Sequence, residues 1–336
     1  MNKRRDYYQD YLEWELIEPE QEITYLTFET GLYRLNKNCI IKFSRDNQYN
    51  ITATISGIIE NIEEIEPADK LKGSFVNSET ITGFSRDGLF KFKLSGAVLG
   101  TCNSTYISVT RPSIKFQAEL VVGKIEKLFI GYEQETQSIQ EWHITGGSEI
   151  NFPRSTLRSV DKNYQRTRKD TDPENESKVL KSSSVSADHL VVKYAGTGFI
   201  VAKVPKEYGP AWAYNICIEY RHSFGRIPDE KEREAISELV GFVFGSQFLK
   251  IGQTSYGKSY SIVLQEYQDP WGDNVVSRCQ KRGFPPVEIG NYYDYGRAEL
   301  LINDLIESYL SQRTSLRLKD TLWKYWIAKY SPIGTN

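Results

Sequence analysis

Along the first half of the chain, apolar and polar side chains alternate with a period of two. Tyr49, Ile51, Ala53 and Ile55 alternate with Asn50, Thr52, Thr54 and Ser56, the pattern of a strand with one buried face. Cys39 to Phe43 is a second β-prone run, and Arg45-Asp46-Asn47-Gln48 between the two has turn chemistry, so a hairpin is predicted. Phe90, Phe92 and Leu94 repeat the alternation against Lys91 and Lys93, directly behind an Asp87-Gly88 turn. Ile114, Phe116, Ala118 and Leu120 do the same against Gln117 and Glu119. Short strands at regular spacing, joined by Gly and Asn turns, predict an antiparallel β-sandwich or open barrel over residues 21–146. The β-rich domain as a whole is placed at 1–152.

The pattern stops after Phe152. Residues 153–187 carry Arg154, Arg158, Lys162, Arg166, Arg168 and Lys169, then Asp170, Asp172, Glu174 and Glu176, and close on Ser182-Ser183-Ser184. With few apolar side chains to offset the entropy of ordering, the stretch is predicted to be a flexible charged linker. Its basic half offers phosphate contacts to a nucleic acid, a reading that ranks below a solvated linker.

From 188 to 290 the periods mix, which predicts an α+β module. Leu190 to Tyr194, Phe199 to Val204 and Tyr214 to Tyr220 read as strands. Pro228-Asp229 opens a helix whose first turns carry Glu230, Glu232 and Glu234, where acids complement the positive helix end. Ile236, Leu239, Val240, Val243 and Phe244 form one buried stripe, and Gly245 supplies the stop. Two strands, Gln247 to Ile251 and Tyr260 to Glu266, follow. Residues 291–336 form a C-terminal helical segment. Ala298, Leu301, Ile302, Leu305, Ile306, Tyr309 and Leu310 make one stripe, and Leu318, Leu322, Trp323, Tyr325, Trp326 and Tyr330 crowd a last helix on nearly every face. Such a helix either docks into the preceding domain or awaits a partner. The fold class is therefore α+β.

Composition adds boundaries. Hydrophobic residues make up 39% of the 336, enough for a sizeable core, and 42 basic against 44 acidic residues give a net charge of -2, so the balance does not demand a polyanionic partner. No segment approaches the ~20 apolar residues of a membrane span. Asp6, Asp10, Glu13 and Glu15 interrupt the start where a signal peptide would be apolar. Cys39, Cys102, Cys217 and Cys279 lie far apart and are expected to be reduced, which places the protein in the cytoplasm.

One textual motif stands out. Gly252-Gln253-Thr254-Ser255-Tyr256-Gly257-Lys258-Ser259 matches G-x-x-x-x-G-K-[ST], in which Gly252, Gly257, Lys258 and Ser259 would hold a nucleotide's phosphates and magnesium. A helix should follow. Instead Tyr260, Ile262 and Leu264 alternate with Ser261, Val263 and Gln265, so a β-hairpin loop is the preferred reading. His143, His189 and His222 have no second ligand at metal spacing, no Gly-x-Ser-x-Gly elbow presents a nucleophile, and the Glu60, Glu63, Glu64 and Glu66 run reads as a solvated acidic face. No catalytic residue, metal or cofactor is assigned. Aromatic residues reach 13%, and Trp212, Tyr292, Tyr293, Trp323 and Trp326 are candidate contacts for a partner, sugar or peptide.

The order of elements resembles a known layout: a β-rich start, Tyr214 to Tyr220, the helix from Pro228 to Phe244, the Gln247 to Glu266 pair, then Ala298 to Leu310 and Leu322-Trp323-Lys324-Tyr325-Trp326. It resembles the N-terminal region of ApeA-type bacterial abortive-infection proteins, which carry a C-terminal HEPN domain. That resemblance, which covers most of the chain, implies a sensing or regulatory role beside a helical domain that cleaves RNA. HEPN ribonucleases use an Arg-x(4–6)-His motif, and none of the three histidines here has an arginine at that spacing upstream. The resemblance therefore implies the non-catalytic portion, working with a helical HEPN effector or self-associating through its C-terminal helices. The alternatives are a nucleotide-binding enzyme using Gly252 to Ser259, and a carbohydrate- or peptide-binding β-sandwich.

Overall fold

A computed structural model describes residues 21–29, 34–35, 39–46, 49–59, 66–108, 113–131, 135–146, 157–160, 165–168, 179–181, 189–203, 213–258, 261–270 and 297–330. In chain order its first strands are β1 (Gln21–Phe28), β2 (Arg34–Leu35), β3 (Cys39–Arg45) and β4 (Ile51–Ile59). Helix α1 (Glu66–Asn77) precedes β5 (Thr80–Ser85), β6 (Phe90–Ser95), β7 (Val98–Ser108), β8 (Ser113–Val122) and β9 (Lys124–Phe129). Next come β10 (Ser138–Gly146), β11 (Leu157–Val160), β12 (Gln165–Arg168), β13 (Val179–Lys181), β14 (His189–Tyr194), β15 (Thr197–Lys203) and β16 (Ala213–Arg221). Helix α2 (Glu230–Val243), β17 (Phe248–Tyr256), β18 (Ile262–Gln268), α3 (Arg297–Gln312) and α4 (Leu318–Tyr330) complete the order.

The chain divides into two compact units, neither continuous in sequence. One comprises Tyr11–Glu135 with Gly252–Gly272; the other comprises Met1–Asp10, Thr136–Ile251 and Asp273–Asn336. The α+β class holds. The predicted single β domain over 21–146 differs from this division, because β10 belongs with the later strands.

In the first unit an antiparallel sheet runs β18-β9-β6-β5-β1-β3-β4-β8-β7, with β2 beside β1. The sequence alternation is its mechanism. Ile51, Ala53 and Ile55, then Phe90, Phe92 and Leu94, then Ile114, Phe116, Ala118 and Leu120 all bury in one core, each Ile, Leu or Phe contributing roughly 1.5–3 kcal/mol; Tyr49 is buried as well. The rings of Phe43 on β3 and Phe92 on β6 meet edge-on at 6.0 Å, although two strands lie between them, so the sheet curls over its own core. Among the described residues it does not close: β7 is an edge. Turns match their chemistry. Asp46 accepts from the Asn50 backbone N–H at 2.9 Å and from its side-chain amide at 2.7 Å, and Asp87 accepts from the Leu89 N–H at 3.0 Å.

The acidic run ending at Glu66 leads into α1, a helix that the reading of a solvated acidic face overlooked. Pro67 stands just inside its start, a position that suits proline, and Phe75 packs edge-on against Phe28 at 4.9 Å and beside Phe116 at 6.5 Å.

In the second unit β14-β15-β16-β10 form an antiparallel sheet. Helix α2 packs on it through Ile236, Leu239, Val240 and Val243. Asp229 caps α2 by accepting from the Glu232 N–H at 2.9 Å, and the chain turns out of it at Gly245 with φ 65, as its sequence signals predict. Helix α3 lays Ala298, Ile302 and Ile306 into the same core. Arg313 ties the end of that segment to Glu238 and Glu234 of α2, with contacts of 2.8 and 2.9 Å.

The expected linker also differs. Within 153–187, strands β11, β12 and β13 pair antiparallel in a small sheet of their own. Val160, Thr167 and Val179 are β-branched, and paired backbone groups satisfy one another whatever the charge of the side chains. Cys39, Cys102 and Cys217 are free thiols; Cys279 lies outside the described residues. No described helix is long and apolar enough to cross a membrane.

Candidate functional site

The phosphate-loop text lies on a β ribbon. Gly252 to Tyr256 form the second half of β17 and pair in register with β18, from Gly252 opposite Tyr267 to Ser255 opposite Leu264. In a phosphate cradle these backbone N–H groups would face a ligand and a helix would follow; here the segment belongs to an antiparallel ladder and β18 follows. The Gly257 N–H donates to the Ser261 carbonyl at 2.8 Å. Lys258 is exposed, with Glu135 3.8 Å away. Ser259 lies outside the described residues. Gly252 has a different reason to be glycine: a Cβ there would stand 2.4 Å from the Glu266 carbonyl oxygen. The motif match comes from close strand packing.

The proposed contact aromatics separate. Trp212, Tyr292 and Tyr293 lie outside the described residues. Trp323 is 37% exposed, but Trp326 is only 5% exposed, which corrects its assignment to a partner surface. Tyr325, 4.8 Å from the Trp326 ring, stands edge-on to Phe242 of α2 at 5.6 Å. Helix α4 thus docks against its own unit, the first of the two outcomes its crowded faces allow.

The densest chemistry among the described residues is a buried polar cluster that the sequence reading missed. Strand β10 is buried at every position from Ser138 to Thr145. On one of its faces Glu141 accepts from Arg233 Nε of α2 at 2.9 Å and from Lys250 Nζ of β17 at 3.0 Å. Arg233 also donates to the Pro228 carbonyl at 2.9 Å. Burial works to raise the Glu141 pKa, but Lys250 and Arg233 outweigh it and hold the carboxyl below its ordinary value. Two residues along, His143 Nε2 lies 3.2 Å from Ser237 Oγ. Burial drives the imidazole down to about 4, against the pull of Glu141. A signal for this cluster existed: Arg233 and Ser237 interrupt the apolar stripe of α2, and Glu141 and His143 share one strand face.

Serine, histidine and carboxylate are the parts of a nucleophilic triad, yet the geometry is that of a fastener. Glu141 is engaged by two cations, and Ser237, His143 and Glu141 are 8%, 2% and 2% exposed. The cluster joins β10 to α2 and to the start of β17.

A neutral buried histidine makes stability fall with acid. Between pH 6.5 and about 4 the unfolded chain takes up a proton at His143 that the folded chain refuses, so the stabilisation is complete above 6.5 and lost as pH falls. The expected loss is at most about 3 kcal/mol across that window. Urea unfolding midpoints between pH 7 and 4 check it. His143→Gln should flatten the profile, and an unchanged slope would count against the assignment.

An open depression of about 410 Å³ lies on the second unit, lined by Tyr194, Ala195, Arg226, Glu232, Glu307 and Leu310 among others. Its polar groups are mutually engaged. Tyr194 donates to Glu232 at 2.8 Å, Arg226 grips the same carboxylate with two nitrogens at 2.5 and 2.6 Å, and Glu307 accepts from the Ala195 N–H at 3.3 Å.

No protein-family model matches the chain, and no curated protein matches it. Among solved structures, the chain is similar to Hcp2 from Salmonella typhimurium over 33% of its own length and 88% of that chain, at 9% identity and a TM-score of 0.23. So low a score carries no argument.

Proposed function

We propose that the protein is a non-catalytic binding or regulatory module of a bacterial defence system, acting on a helical effector. The observation that supports this reading is the state of its C-terminal helices. They are anchored to their own unit through Ala298, Ile302, Ile306 and Trp326, yet Leu300, Trp323 and, in the turn between the helices, Leu316 are exposed at 62%, 37% and 57%. Large exposed apolar side chains on a firmly docked element suit a contact surface. The ApeA-type layout suggests the class of effector, a HEPN ribonuclease, whose Arg-x(4–6)-His motif this chain lacks around its histidines.

The test is phage plating on bacteria that carry this gene with its neighbouring reading frames. Protection is expected, and Trp323→Ser should abolish it while the circular dichroism of the purified variant stays that of a folded protein. Equal protection after deletion of the gene, or from the Trp323→Ser strain, would overturn the proposal.

A further inference from the structure

Strand β7 is bonded to β8 along one side only; among the described residues no strand pairs with its other side. Free edges invite pairing with another chain, and proteins guard them with lysine, proline or a twist. β7 reads Val-Leu-Gly-Thr-Cys-Asn-Ser-Thr-Tyr-Ile-Ser and carries no charge and no proline. Its two irregularities fall between Leu99 and Thr101 and between Tyr106 and Ser108, bracketing the edge without interrupting it. From Thr101 to Tyr106 the register against β8 is unbroken, a span of roughly 20 Å. Thr101, Asn103, Ser104 and Thr105 are exposed.

We propose that β7 pairs antiparallel with β7 of a second copy, joining two first-unit sheets across a two-fold axis near Asn103. The occupant follows from the strand's own composition. A two-fold contact brings two copies of the same strand together, so any net charge on the strand would be doubled at the seam; a neutral strand escapes that repulsion. An axis at Asn103 sets Thr101 opposite Thr105 of the second copy and Asn103 opposite its own equivalent, pairs whose hydroxyls and amides bond across strands. On β8, Glu119 lies beside Thr101 and Lys115 beside Thr105. The lateral row through the seam therefore begins in an acid on one copy and ends in a base on the other.

Sedimentation equilibrium of the full chain tests the idea. A dimer is expected, and Thr101→Lys with Thr105→Lys, which opposes like charges at the seam, should halve the mass without changing the circular dichroism. In a Cys102→Ser background, Asn103→Cys should form an intermolecular disulfide on mild oxidation, since cross-strand Cα separations of roughly 4.5–5.5 Å suit one. A wild-type chain that stays monomeric at every concentration overturns the proposal. So does a dimer indifferent to the lysine pair, or a folded Asn103→Cys protein that refuses to cross-link. Should the lysine variant unfold, the cross-link alone decides. Trp323→Ser is expected to leave the dimer intact, which separates this contact from the effector surface.

Discussion

Glu141→Ala is expected to cost the protein about 3–5 kcal/mol, the usual consequence of leaving buried charge without its partner. Arg233 and Lys250 lie 2.9 and 3.0 Å from the carboxylate, with side chains 8% and 22% exposed. Lys250 can swing its ammonium toward solvent, but Arg233 is held by the Pro228 carbonyl as well and has nowhere comparable to go. The single substitution should therefore be worse than a double one. Glu141→Leu with Arg233→Met removes both charges and fills the space with apolar volume, and should recover most of the loss. Chemical denaturation of Glu141→Leu, Arg233→Met and the double gives the coupling directly. If the double variant is as unstable as Glu141→Ala alone, the ion pair is not what holds β10 to α2.

Gly225→Ala is the second large effect, at about 3 kcal/mol or more. Gly225 has φ 121, a backbone region that alanine avoids, and an added Cβ would lie 1.9 Å from the Gly196 carbonyl oxygen. Two costs act together: local strain, and displacement of the Ala195-Gly196 turn between β14 and β15. Gly88→Ala separates them. Gly88 has φ 70 and open space around its Cβ position, so only the backbone cost of about 1–2 kcal/mol remains. Thermal or urea unfolding of the two variants should differ clearly. Equal losses would mean that the approach to Gly196 contributes nothing.

Sequence pattern reveals local structure here and little of what is remote. The β3–β4 hairpin, the capped helix α2 and the stripe of α3 were all legible, because their signals lie within one element and its adjacent turn. The return of β17 and β18 to the first unit was not. That association rests on β18 pairing with β9, on Lys124 reaching Glu266 at 3.1 Å, and on Tyr267 entering the N-terminal core; no local period encodes a partner so far along the chain. The buried cluster was half legible. His143 stood out only as a histidine with no second ligand at metal spacing, and nothing local marks Glu141, Arg233 and Lys250 as buried, because burial is decided by elements distant in sequence. Trp326 fell for the converse reason: an aromatic residue on a crowded helix looks available until the groove that receives it is known.

The first unit is assembled from two stretches separated by Thr136–Ile251. A ribosome making this protein must therefore release Tyr11–Glu135 well before Gly252–Gly272, the ribbon that covers β9. Until that ribbon emerges, the early sheet waits with an open flank and an incomplete core. Cutting the gene at either junction would part the first unit's two stretches, so shortened versions meant to isolate it should join them by a designed linker.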